Sequence, residues 1–269
     1  MFAPDPKVLN RIAPAVRRVV IADPNLASSR LIMDVLKGMG AREIFVEATE
    51  ERALQMIRDV DPGLVLTERS GAGLDGESLS RRIRRSSLTC RRAPIIMVTA
   101  DATASTIKGA RDSGVHEFLR KPFTSTDLFK RIENVALRPR DWVEAIGYVG
   151  PDRRRFNSGE YAGPAKRKSD KPATGAAANA SVKDQALRIL AATLAQFDTD
   201  PAQGVRAARQ QAETLKALAI KTSDARLAIA AAGLESHLVG GAVTKASLAG
   251  PIGALLALAA PETLQAKAS

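Results

Sequence analysis

The sequence predicts an α/β domain of five βα units, followed by a basic segment and an all-α C-terminal module. Short β-rich apolar runs alternate with amphipathic helical patterns five times within residues 17–137, which is typical of a parallel sheet with helices on both faces. Gly-Pro and Arg-Pro breaks interrupt residues 138–180, whereas alanine and leucine dominate residues 181–269. Within the basic segment, residues 169–180 predict a flexible linker. We expect a flexible arm of residues 1–16 before these three parts.

The arm is predicted from its prolines. Pro4, Pro6 and Pro14 fall within the first fourteen residues, and proline disfavours both helix interiors and sheet ladders.

The amino-acid composition narrows the class of binding partner. The net charge of +11 favours an anionic partner, such as nucleic acid, an anionic membrane surface or a phosphate-bearing small ligand. Cys90 is the only cysteine and there are two histidines, so we expect no disulfide and no bound metal. No signal-peptide pattern is evident and no apolar tract is long enough to span a bilayer, and we expect a cytoplasmic protein.

The five predicted strands end in polar side chains. The strands are predicted at 19–22, 44–46, 64–67, 95–99 and 117–119, with helices near 26–38, 50–59, 76–84, 103–113 and 124–136. Ligands of parallel sheets bind at the carboxyl ends of the strands. Those ends carry Asp23, Glu68, Thr99 and Lys121, which form the first candidate site.

Four short motifs carry a resemblance to a known family. They are Val19-Val20-Ile21-Ala22-Asp23, Leu74-Asp75-Gly76, Val98-Thr99-Ala100 and Lys121-Pro122-Phe123. In order and spacing they resemble the CheY-like receiver domain of bacterial two-component signalling. The resemblance implies a flavodoxin-like (βα)5 fold for residues 17–137.

The phosphorylation chemistry of that family matches less well. A receiver needs two acids after its first strand and an aspartate after its third, which together hold Mg²⁺ through oxygen ligands. Here Pro24 takes the place of the second acid and Glu68 that of the phosphoacceptor. We expect no phosphorylation at this degenerate site, since glutamate places its carboxylate one methylene further out. Glu68 either pairs with Lys121 as a built-in mimic of the charged state or is a polar loop residue without signalling value.

The basic segment contains a doubled motif. A Tyr-x-Gly-Pro-x-(Arg/Lys)₃ unit begins at Tyr148 and again at Tyr161. Residues 152–168 hold six basic and two acidic side chains, a net charge of +4. Because no helical or strand period runs through it, we expect the segment to lack regular structure when free.

Guanine recognition fits these residue types. The arginine fork pairs with the O6/N7 edge of guanine, and a neighbouring carboxylate can accept from its N1 and N2 donors. Asp152 stands beside Arg153 in this arrangement, and Tyr148, Phe156 and Tyr161 can add stacking. Guanine together with phosphates is the chemistry of cyclic di-GMP (c-di-GMP).

The stretch from Gly150 through Ser158 to the second Gly-Pro and its basic triplet resembles the arginine-rich tail of the CheY-like c-di-GMP effectors (Cle proteins) of alphaproteobacteria. The resemblance implies binding of c-di-GMP, as a stacked dimer, and docking on the flagellar motor switch or action in surface attachment. The candidate c-di-GMP-binding residues are Tyr148, Pro151, Asp152, Arg153, Arg154, Arg155, Phe156, Asn157, Ser158, Tyr161, Lys166, Arg167 and Lys168, with Arg140 and Trp142 as further candidates.

Residues 181–269 predict a small helical bundle. Helices are expected from Ser181, from Pro201, from Ser223 or Asp224, and from about Thr244, with a break at Gly250-Pro251. The bundle faintly resembles a histidine phosphotransfer helix pair, but Glu213 stands at the phosphohistidine position, which excludes that chemistry. A docking module and a dimerisation element both stay open.

The sequence as a whole predicts a non-enzymatic signalling adaptor that binds c-di-GMP. Three alternatives stay open. They are a phosphorelay response regulator, a basic nucleic-acid-binding regulator without an evident helix-turn-helix, and a basic tether that binds polyanions without specificity.

Overall fold

The computed structural model describes residues 5–153, 175–240 and 243–259. These residues form two compact units. The first contains the described residues up to Val143 together with 148–153, and the second contains 144–147 together with those from 175 onward. No helix in the described ranges is long and apolar enough to cross a membrane.

The first unit is built on a five-stranded parallel sheet with the order β2-β1-β3-β6-β7. Its strands are β1 (Arg18–Ala22), β2 (Glu43–Glu47), β3 (Leu64–Glu68), β6 (Ile95–Thr99) and β7 (Glu117–Arg120), and a two-residue pair, β4 (Ser70–Gly71) and β5 (Leu74–Asp75), follows β3. The helices are α1 (Pro6–Val16), α2 (Leu26–Gly38), α3 (Glu50–Val60), α4 (Gly76–Arg85), α5 (Ala104–Asp112) and α6 (Ser125–Leu137). The predicted five βα units are therefore confirmed.

The helices cover both faces of the sheet. Ile32 of α2 and Ile132 of α6 pack on one face, whereas Ile57 of α3, Ile83 of α4 and Ala110 of α5 pack on the other. Strands buried on both sides need apolar residues at nearly every position, and β6 is buried along its whole length.

Side-chain caps begin the helices that follow the strands. Thr49, Thr103 and Thr124 accept from backbone N–H groups at the starts of α3, α5 and α6. Asp75 Oδ1 accepts from Glu77 N at 2.9 Å at the start of α4. Each cap satisfies a donor that the first helical turn leaves without a partner.

Helix α1 corrects the prediction of a flexible arm. Asp5 caps the helix and Pro6 occupies its first turn, where the missing proline N–H is not needed. Ile12 and Val16 are fully buried against the sheet core. The proline count misled because Pro6 falls in the first turn, where proline is tolerated, and because the burial of Ile12 and Val16 offsets the cost of Pro14 inside the helix.

Residues 142–151 correct the prediction that the basic segment lacks regular structure. Strand β8 (Trp142–Glu144) pairs with β9 (Val149–Pro151), and Tyr148 and Val149 are buried. Three-residue strands are too short to show a period in sequence. Residues 154–174, which include the second copy of the doubled motif, lie outside the described residues.

The second unit contains four described helices: α7 (Gly175–Ala195), α8 (Pro201–Thr222), α9 (Ala225–Val239) and α10 (Lys245–Leu256). Leu190, Leu215, Leu234 and Ile252 meet in its core. The predicted starts at Pro201, after the Asp224 cap and after the Thr244 cap are confirmed.

Two predictions about these helices are wrong. Helix α7 begins at Gly175 rather than at Ser181, because the alanines read as a linker are strong helix formers. Helix α10 continues through Pro251. Leu248 and Ile252, on either side of the proline, are fully buried, so packing offsets the lost backbone hydrogen bond.

Candidate functional site

The first candidate site is an acidic pocket at the carboxyl edge of the sheet. Asp23 follows β1 and is 1% exposed, and Glu68 ends β3, the neighbouring strand. Lys121 follows β7, and its Nζ lies 3.2 Å from Asp23 Oδ2 and donates a hydrogen bond to Glu68 Oε2. The structure thus brings three of the four predicted side chains into direct contact.

Both oxygens of the Glu68 carboxylate are engaged, because Oε1 accepts from Arg69 N at 2.9 Å. Thr99, the fourth predicted residue, is buried at the end of β6. Its Oγ1 accepts from Asp101 N at 3.2 Å, and its carbonyl accepts from Lys121 N at 2.7 Å. Thr99 therefore fixes the loop that follows β6 and the backbone of Lys121.

The pocket does not fit a magnesium ion. Pro24 follows Asp23 and offers no side-chain oxygen, and its ring packs against Gly71. The Lys121 ammonium stands between the two remaining carboxylates. Within the described ranges, no group of three or more His, Cys, Asp or Glu side chains could hold a metal ion.

The second candidate site begins at the turn after β9. Of its predicted residues, the structure describes Tyr148, Pro151, Asp152 and Arg153. The remaining candidates, Arg154, Arg155, Phe156, Asn157, Ser158, Tyr161, Lys166, Arg167 and Lys168, lie outside the described residues.

Tyr148 holds this turn in place. The side chain is 7% exposed, and its hydroxyl donates to the Pro151 carbonyl at 2.6 Å. Burial raises the pKa of the Tyr148 phenol to about 12. The predicted contact of Tyr148 with a nucleotide stays a prediction. In the structure, the Tyr148 ring packs under the Arg153 guanidinium.

Arg153 lies at the surface of the first unit. Its guanidinium carbon is 4.4 Å from the centroid of the Tyr148 ring, within the range of a cation–π contact. Its Nη1 lies 2.8 Å from Asp112 Oδ1 at the end of α5. The Arg153 side chain is nevertheless 45% exposed.

Backbone hydrogen bonds fix Asp152. Its N–H donates to the Asp141 carbonyl at 2.8 Å, and its carbonyl accepts from Arg140 Nη1 at 3.3 Å. Arg140 also donates through Nη2 to the His116 carbonyl. The adjacent Asp152 and Arg153 are therefore presented from a turn that is tied to the sheet.

Sequence reasoning missed the buried arginine beneath this turn. Arg84 is 1% exposed, and it donates to the carbonyls of Gly114, Arg91 and Ala93 at 2.8, 2.6 and 2.9 Å. Burial lowers the pKa of Arg84 to about 9. The signal was present in the helical spacing, since Ser80, Ile83 and Arg84 share the buried stripe of α4.

The family comparison covers the first unit. Residues 19–133 match the sequence model described as the response regulator receiver domain. This segment is a receiver domain. Residues 134–269 lie outside the match, so the turn that presents Arg153 and the helical unit are additions to the receiver domain.

Curated relatives match the receiver domain at low identity. Chemotaxis protein CheY-3 of Vibrio cholerae serotype O1 is 25% identical over 118 residues, which cover 44% of this chain and 90% of that protein. Chemotaxis protein CheY of Pseudomonas aeruginosa is 27% identical over 118 residues, 44% of this chain and 94% of that protein. The DNA-binding response regulator MtrA of Mycobacterium tuberculosis is 27% identical over 116 residues, 43% of this chain and 49% of that protein.

Solved structures match a similar share of the chain. The chemotaxis protein CheY4 of Vibrio cholerae is 19% identical with a TM-score of 0.42, covering 45% of this chain and 98% of that one. A two-component response regulator from Clostridium difficile is 23% identical with a TM-score of 0.41, covering 45% of this chain and 96% of that one.

Proposed function

We propose that this protein is a non-enzymatic signalling adaptor whose receiver domain carries a c-di-GMP-binding segment. The observation that carries the proposal is the turn at Asp152 and Arg153, which holds an acid and an exposed arginine side by side on the receiver domain. Arg154 and Arg155 continue the basic run directly after it.

The fixed turn suits a guanine nucleotide. The Arg153 guanidinium can pair with the O6/N7 edge of guanine, and the Asp152 carboxylate can accept from its N1 and N2 donors. The phosphates of c-di-GMP need further cations, which the following basic residues supply. Since Asp152 is already tied to Asp141 and Arg140, part of the ordering cost of binding is met before the ligand arrives.

The acidic pocket supports signalling without phosphoryl transfer. Lys121 contacts both Asp23 and Glu68, as expected of a built-in mimic of the charged state. On this proposal the receiver domain docks on a protein partner, such as the flagellar motor switch, and c-di-GMP rather than phosphorylation controls docking.

Isothermal titration calorimetry tests the proposal with the full chain. We expect saturable, selective binding of c-di-GMP, with two nucleotides per chain, and no comparable heat from GTP or cyclic di-AMP. Changing Arg153, Arg154 and Arg155 together to glutamate should abolish binding while the far-ultraviolet circular dichroism stays unchanged.

A charge-matched control separates recognition from net charge. Arg42, Arg52 and Arg58 are exposed arginines that lie about 100 residues before the turn in the sequence. Changing all three to glutamate alters the net charge by the same amount. The control variant should bind c-di-GMP within a few-fold of the parent. Equal binding of every nucleotide, or equal loss in both triple variants, would reduce the segment to a basic tether.

A further inference from the structure

Trp142 of β8 stands among arginines of the receiver domain. Its ring centroid is 5.4 Å from the guanidinium carbon of Arg84, 5.8 Å from that of Arg91 and 5.4 Å from that of Arg92. Arg84 is buried, whereas Trp142 and Arg91 are half-buried and Arg92 is exposed. The cluster is therefore buried at Arg84 and open to solvent at Arg92.

The local sequence concentrates positive charge at this cluster. Three of the six arginines between Ser78 and Ala100 lie at the Trp142 ring, namely Arg84, Arg91 and Arg92, whereas Arg81 and Arg82 pair with acidic residues of α4 and α3. Arg84 is held by backbone carbonyls of Gly114, Arg91 and Ala93, which solvate its charge but carry no net charge of their own. Three guanidinium groups within 5.8 Å of one aromatic ring are the residue types that recognise anionic and aromatic ligands.

The cluster adjoins the turn at Asp152 and Arg153. Strand β8, which begins at Trp142, pairs with β9, and β9 leads directly into that turn. Asp152 N donates to the carbonyl of Asp141, the residue before Trp142. Trp142 therefore directly follows the residue whose carbonyl holds the turn in place.

We propose that Trp142, Arg91 and Arg92 form a second, receiver-borne part of the c-di-GMP site. A guanine base stacks on the indole or on a guanidinium plane, and Arg91 and Arg92 pair with the phosphates. This proposal rests on the function proposed above, and it adds Arg91 and Arg92, which lie outside residues 138–180. It explains why the segment is attached to this edge of the receiver domain by a strand pair.

Trp142 supplies a direct readout, because it is the only tryptophan in the sequence. Titration of the full chain with c-di-GMP should change the tryptophan emission saturably, with the same midpoint as the calorimetric titration. Arg92→Ala and Arg91→Ala should each weaken binding about tenfold, as expected when a charge-assisted contact is lost. Arg52→Ala is the matched control, since it removes one exposed arginine of the same domain that pairs with Glu47, and it should bind like the parent.

The outcomes separate this inference from the proposed function. If c-di-GMP binds with unchanged tryptophan emission, and Arg91→Ala and Arg92→Ala match Arg52→Ala, the receiver-borne part is refuted while the proposed function stands. If the parent chain shows no c-di-GMP heat at all, both fail. If the two variants lose affinity and Arg52→Ala does not, the receiver-borne part is established.

Discussion

Lys121 Nζ lies 3.2 Å from Asp23 Oδ2, although the two residues are 98 positions apart in the sequence. The same ammonium group donates to Glu68. The Lys121 ammonium therefore lies between the carboxylates of Asp23 and Glu68. The ammonium offsets one of the two negative charges of the pocket.

The first prediction concerns phosphorylation. A small-molecule phosphodonor with Mg²⁺ should leave the protein unmodified, and Glu68→Asp alone should not restore modification, because Pro24 still supplies no oxygen ligand. The double variant Pro24→Asp, Glu68→Asp should gain Mg²⁺-dependent phosphorylation, measured as intact mass. Phosphorylation of the parent chain at Glu68 would contradict the prediction and favour a phosphorelay response regulator.

His116 gives the second prediction, a loss of receiver stability in acid. Its Nδ1 lies 3.2 Å from Ile95 N and 3.1 Å from Arg84 Nη2. Both neighbours are donors, so Nδ1 accepts and the imidazole is neutral. Burial, and then the charges of Arg84 and Arg140, lower the pKa of His116 well below 6.5.

The direction of this pH dependence of stability follows from proton linkage. The unfolded chain binds a proton at His116 at a higher pH than the folded chain, so the stabilisation is fully present above about pH 6.5 and is lost as the pH falls below it. Urea unfolding followed by Trp142 fluorescence should show this loss between pH 7 and 5. His116→Asn keeps an acceptor at the Nδ1 position and should flatten the profile, whereas His237→Asn, on an exposed side chain, should not. Equal profiles for the two variants would exclude His116 as the source.

The sequence predicted the sheet and the acidic pocket because both depend on local pattern. Asp23 and Glu68 were located by their positions after apolar runs, and parallel strands place such ends at one edge. The partners of Arg84 and the position of β9 could not be located this way. Their stability comes from contacts distant in sequence, such as Arg84 with the Gly114 carbonyl, and a basic run or a Gly-Pro pair gives no sign of such partners.

Helix α1 gives the third prediction. Ile12→Ala should destabilise the receiver domain by about 2–5 kcal/mol, because a fully buried isoleucine side chain leaves a cavity when truncated. Urea unfolding followed by Trp142 fluorescence measures the change. Asn10→Ala is the control, since Asn10 is exposed on the same helix and should change stability by less than about 0.5 kcal/mol. If Ile12→Ala were as stable as the parent protein, residues 6–16 would instead be a flexible arm.

Gly114 gives the fourth prediction through a matched pair. Gly114 and Gly40 both have φ of +87°, so alanine costs about 1 kcal/mol of backbone strain at either position. An alanine Cβ at Gly114 would also lie 2.5 Å from the Val149 carbonyl oxygen, whereas at Gly40 no described atom lies within 4 Å.

Gly114→Ala should therefore destabilise the receiver domain more than Gly40→Ala, and it alone should alter Trp142 emission, because it displaces β9. Thermal unfolding and the emission spectrum measure the two effects. Equal effects of the two substitutions would show that β9 does not approach Gly114 this closely in solution.

Asp112 gives the last prediction, which concerns ligand affinity. Arg153 Nη1 and Arg111 Nε lie 2.8 and 3.1 Å from Asp112 Oδ1. Partial burial acts to raise the pKa of Asp112, but the hydrogen bonds and charges of the two arginines outweigh it and hold the pKa below 3.8. Asp112 is therefore charged at neutral pH and competes with an anionic or guanine ligand for Arg153.

Asp112→Asn should raise the affinity for c-di-GMP about two- to fivefold, since an exposed ion pair is worth up to about 1 kcal/mol. Asp101→Asn removes the same charge from another exposed position on the receiver domain, and the difference between the two variants isolates the competition at Arg153. That difference should shrink as salt is added, because screening weakens the exposed pair. An equal gain in both variants would attribute the effect to net charge and would refute competition by Asp112 for Arg153.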